Sequence, residues 1–157
     1  MRYVLPQPWE ELPHTADVGL AASGATPEEA LARLVLGLGA MLAGGGGVGP
    51  AAAGRPAPGE AAAGGEARID VAGGADLAQT AVTLLREVLF RFATGREIPV
   101  AVEVLSFAPG RATADVTFGR WDPERNAEGA DVKAVTYHAA RFEREGGGWR
   151  AQVILDT

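Results

Sequence analysis

Glu143-Arg144-Glu145-Gly146-Gly147-Gly148-Trp149-Arg150-Ala151-Gln152-Val153-Ile154-Leu155-Asp156 is the stretch whose reading decides the fold. After the glycines, Trp149, Ala151, Val153 and Leu155 share one side of a period-two repeat, and Arg150, Gln152, Ile154 and Asp156 share the other. That alternation predicts a strand. The glycines supply the tight reversal that joins it to a preceding strand over 131–143. A second reversal, Ala108-Pro109-Gly110, separates the apolar runs 98–107 and 111–118 in the same way. The second half of the chain therefore reads as antiparallel hairpins, with a polar, exposed loop at 119–130.

Upstream the period changes. Thr26-Pro27-Glu28-Glu29 is a helix start with a mechanism: a threonine N-cap, proline at the first helical position, and Glu29 closing a capping box. Ala30, Leu31, Leu34, Val35, Leu38, Met41 and Leu42 follow at three- and four-residue spacing, which predicts a helix over 27–43. Gly37 and Gly39 weaken it. Asp76 and Gln79 repeat the capping signature before Leu77, Ala81, Leu84, Leu85, Val88, Leu89 and Phe92, and Gly95 ends that second helix. Residues 16–22 and 66–72 read as further strands. The expected fold is α+β: one domain over 1–157, two helices packed on a mostly antiparallel sheet.

Composition removes several function classes. The chain has no cysteine, so disulfides, thiolate metal sites and cysteine nucleophiles are out. A formal net charge of −6 argues against stable nucleic-acid binding by the chain itself. Arg141, Arg144 and Arg150 read as solvated arginines on a hairpin. The longest apolar stretches, near 31–42 and 81–92, are interrupted by Arg33 and Arg86 and are too short for a bilayer, so a soluble, cytoplasmic protein is expected. Residues 44–65 are almost wholly Gly, Ala and Pro and predict a flexible loop. No Gly-Lys-Ser/Thr follows it, so it is not a phosphate cradle.

Two carboxylates stand where carboxylates are awkward. Asp17 lies among small and apolar residues entering a strand, in His14-Thr15-Ala16-Asp17-Val18-Gly19, and Asp156 ends an apolar strand. Each alone suits a turn or a frayed strand end. Together, with a main-chain or terminal oxygen at Thr157, they would make an all-oxygen site, which selects Ca²⁺, Mg²⁺ or Mn²⁺ over zinc or copper. Lys133 lies in the apolar run Asp131-Val132-Lys133-Ala134-Val135-Thr136-Tyr137-His138. It is either a snorkelling lysine or a cation aimed at a phosphate or a partner's carboxylate. A tight turn at 146–148 would pair Asp156 with Thr136 or Tyr137 and leave Lys133 about 10–13 Å along the strand. Lys133 is thus an adjacent functional group and not a ligand. His14 is expected to fix the Asp17 turn by hydrogen bonding, since no serine or cysteine is arranged beside either histidine as a nucleophile. Trp9, Trp121 and Trp149 read as packing residues.

Trp9-Glu10 with His14-Thr15-Ala16-Asp17-Val18-Gly19 resembles the opening signature of the archeases. The run 131–138 and the closing Ile154-Leu155-Asp156-Thr157 are similar to that family's second and third signatures. Leu85-Arg86-Glu87-Val88-Leu89-Phe90-Arg91-Phe92, at the end of the second helix, fits as well. The resemblance covers the chain outside 44–65. It implies an accessory protein, not itself an enzyme, of the RNA-splicing ligase of the RtcB family, which joins RNA ends with GTP and Mn²⁺. It implies help with guanylylation of that ligase and with multiple turnover in tRNA splicing and RNA repair. It also implies a metal group of Asp17, Asp156 and Thr157, usually holding calcium, and an essential lysine at Lys133. Thr157 departs from the pattern, where an aliphatic residue is commoner. An autonomous metal-dependent phosphoesterase using Asp17, Asp156 and His14, or a general chaperone for RNA-processing proteins, are the competing readings.

Overall fold

The computed structural model describes residues 1–13, 17–44, 65–121, 129 and 131–157. His14, residues 45–64 and residues 122–128 and 130 lie outside them. The described elements run β1 (Arg2–Val4), β2 (Glu10–Pro13), β3 (Val18–Gly24), α1 (Pro27–Leu42), β4 (Glu66–Ala72), α2 (Leu77–Gly95), β5 (Glu97–Ala108), β6 (Arg111–Arg120), β7 (Ala134–Glu145) and β8 (Gly148–Asp156). The α+β expectation holds, and every described strand pairing is antiparallel. The strands divide into two four-stranded sheets, ordered β1-β5-β6-β4 and β2-β3-β8-β7. Sequence alternation pointed to one sheet. It cannot say which sheet a strand joins.

Both helices start as their caps predict. The Thr26 hydroxyl accepts from Glu29 N–H at 3.1 Å, and Glu29 Oε1 accepts in return from Ala25 N–H at 2.8 Å. Asp76 and Gln79 repeat the exchange at 2.8 and 3.0 Å. Helix α1 packs on β5 and β1 of one sheet and on β3 and β8 of the other. That two-sided burial explains its glycines. A Cβ on Gly37 would stand 2.9 Å from Trp9 Cβ, and one on Gly39 would stand 2.8 Å from the Pro99 carbonyl oxygen. Each glycine lets one sheet close on the helix. Helix α2 buries a single stripe, Ala78, Ala81, Val82, Leu84, Leu85, Val88 and Leu89, against strands of both sheets. None of the described helices is long and apolar enough to cross a membrane.

The β7–β8 hairpin departs from the expected register. It closes at Gly146 and Gly147, both with positive φ (58° and 83°), and pairs Glu145 with Gly148 through Arg141 with Gln152. Beyond that point Thr136 pairs with Ile154, so five steps along β7 match two along β8 and three residues are in excess. The four residues 137–140 lie opposite the single Val153, a bulge that contains Ala139 at φ 55°. Asp156 consequently faces Ala134. The expected partner was Thr136 or Tyr137, and the difference is the bulge.

Candidate metal centre

β3 and β8 are the two inner strands of their sheet, and their last pair at one end is Val18 with Leu155. Asp17 precedes Val18 and Asp156 follows Leu155, so pairing brings the two carboxyl-bearing residues to the same end of adjacent strands. β7 flanks β8 on its other side with Ala134 against Asp156, and Lys133 N–H donates to the Asp156 carbonyl at 2.7 Å. Residues 17, 133, 156 and 157 therefore meet at one sheet end. Asp17 is half-buried, whereas Lys133, Asp156 and Thr157 are exposed. His14 lies outside the described residues.

The described residues contain no group of three or more His, Cys, Asp and Glu side chains fit to hold a metal. The oxygens this end could offer a cation are the Asp17 and Asp156 carboxylates and main-chain oxygen at Thr157, with water needed to complete a shell. Such a set fits a hard cation. Calcium accepts six to eight oxygen ligands, main-chain carbonyls and water among them, in loose geometry. The Asp156 carbonyl, which already takes the Lys133 N–H, keeps one lone pair.

A fifth group bears on this end, and sequence reasoning passed over it. Arg86 of α2 donates from Nε to the Val135 carbonyl at 2.9 Å and lays its guanidinium 4.1 Å from the centroid of the Tyr137 ring. The Tyr137 hydroxyl lies 3.4 Å from Thr83 Oγ1. Arg86 thus grips β7 on the last regular residues and the first bulged one. Its signal in the sequence is a cation within the apolar stretch 81–92, which reads there as an interruption and as part of the Leu85–Phe92 match.

On the outer face of the other sheet the Arg111 guanidinium, then Thr113, hold the Asp70 carboxyl below the usual range, and Arg68 does the same for Asp115. At the start of α1, the Ala25 N–H, followed by Tyr3 and Arg33, holds Glu29 low against the opposing effect of burial. These are exposed or capping contacts that stabilise strands and a helix end.

Residues 9–157 match the Archease protein family. The chain is 32% identical over 152 residues to a protein archease of Methanopyrus kandleri, covering 95% of this chain and 99% of that one. It is 27% identical over 161 residues to a protein archease of Pyrococcus furiosus, covering 94% and 97%. The fold is similar to the solution structure of Methanobacterium thermoautotrophicum protein 1598, with a TM-score of 0.63 at 24% identity, covering 95% of this chain and 98% of that one. The chain belongs to the archease family.

Proposed function

We propose that this protein is a cytoplasmic, non-catalytic activator of an RNA-splicing ligase of the RtcB family, promoting its guanylylation and repeated turnover in tRNA splicing and RNA repair. The observation that supports the reading is the meeting of Asp17, Asp156, Thr157 and Lys133 at one sheet end, within a chain of this family. Asp17 and Asp156 hold a divalent cation, most simply Ca²⁺, with main-chain oxygen at Thr157; Mg²⁺ or Mn²⁺ would use the same donors. When bound, the cation supplies fixed positive charge beside phosphate oxygens. The Lys133 ammonium, on an exposed four-carbon stem, reaches past the carboxylates towards a partner's phosphate or carboxylate.

The deciding experiment is multiple-turnover RNA ligation by the cognate ligase with and without this protein. Sustained turnover is expected with it, and a single round or little more without it. Equal turnover in both arms would refute the role. The protein alone is assayed on phosphoesters in parallel: hydrolysis that disappears on Asp17→Ala would favour an autonomous phosphoesterase.

A further inference from the structure

The β7 bulge has no role in closing the hairpin. A regular ladder from the Gly146–Gly147 turn would run past Val153 and set Tyr137 opposite Asp156, leaving Lys133 about four residues, or about 13 Å, beyond it. The three excess residues at 137–140 move the start of β7 so that Lys133 N–H reaches the Asp156 carbonyl at 2.7 Å. They also change which residues face inward, from Val135, fully buried, to Phe142, which packs on the core. On the α2 side the bulge is held chiefly by Arg86, with Thr83 Oγ1 3.4 Å from the Tyr137 hydroxyl. Arg86 binds the Val135 carbonyl before it and covers the Tyr137 ring at its first residue, while Ala139 turns the chain at φ 55°.

We propose that Arg86 is a positioning residue, which fixes the 137–140 bulge and thereby sets the β7 register that presents Lys133 beside Asp156. This rests on the proposed role of that sheet end, but the positioning can be read without the ligase. Arg86→Met keeps an unbranched apolar stem and removes the guanidinium that makes both contacts. Exchange of the Lys133 amide hydrogen should then quicken by about tenfold or more, as expected for losing a charged hydrogen bond that holds the strand. Amides of β3 and of the β8 residues facing it should exchange as in the parent protein. In ligation, Arg86→Met should reduce activation as Lys133→Ala does, with Ca²⁺ affinity within about twofold of the parent.

A second variant makes the test specific. Deleting Tyr137, His138 and Ala139 leaves Ala140 to face Val153 in an uninterrupted ladder, with both ends aligned as before. In that background Arg86→Met should change neither Lys133 exchange nor activation. Unchanged Lys133 exchange in the Arg86→Met point variant would overturn the proposal, whatever the fate of the deletion. Restored protection in Arg86→Met with the deletion supports it. If the parent protein fails to stimulate the ligase while Lys133 exchange responds as stated, the functional reading falls and the positioning stands.

Discussion

Asp17 and Asp156 sit beyond the last pair of the two inner strands and outside the apolar core, so replacing either should remove a proposed ligand and little of that core. Asp17→Ala and Asp156→Ala are expected to weaken Ca²⁺ binding by about 100-fold or more and to abolish ligase activation, with thermal unfolding without metal shifted by no more than a few degrees. Calorimetric titration and circular dichroism together check this. Unaltered Ca²⁺ affinity in both variants would remove the assignment. Lys133→Ala should bind Ca²⁺ normally and still fail to activate. Glu29 gives a test at low pH. Its folded pKa is depressed by the Ala25 N–H, Tyr3 and Arg33, so its contribution is fully present above the unfolded carboxyl value near ~4.3 and fades as pH falls through the lower folded value. Glu29→Gln should cost about 1 kcal/mol at pH 7, and that difference should shrink below about pH 4; urea melts at pH 7 and pH 3 measure it. The two carboxylates were legible in the sequence because each interrupts an apolar run. Lys133's place beside Asp156 was not, since it depends on how many residues lie unpaired farther up the strand.

α1 shows how an element can be read correctly and still misjudged. Its cap and stripe are local signals, and they predicted its span to within a residue. Its glycines counted against it only because a helix was imagined on one sheet. Between two sheets, Gly37 and Gly39 are the points of closest approach. Gly39→Ala, which usually stabilises a helix by about 0.5–1 kcal/mol, should here destabilise the protein by about 1–3 kcal/mol, because the added methyl meets the Pro99 backbone. A rise in the urea midpoint would contradict the close packing. β1 and β2 were not legible, being three and four residues long and set among Pro6, Pro8 and Pro13. They exist because partner strands supply what their own sequence lacks. The β7 bulge was illegible for another reason. Its left-handed residue is Ala139, and alanine carries none of the turn signal that glycine or asparagine would.

At the scale of the molecule, a net charge of −6 has a kinetic consequence for any basic, RNA-handling partner. Association with the ligase should slow as salt rises from 50 to 500 mM, with dissociation changing less; stopped-flow mixing separates the two. A salt-independent on-rate would mean that the overall field plays no part in encounter. Strand order carries a different consequence. β1 joins a sheet otherwise made from 65–121, while β3 is zipped between β2 and a strand from the far end of the chain. A backbone nick anywhere in 45–64 would therefore yield two fragments, each owning part of both sheets and neither owning a finished one. Made separately, these fragments should stay unstructured. Mixed, they should complement one another stoichiometrically, turning an ordinary intramolecular fold into a concentration-dependent heterodimer.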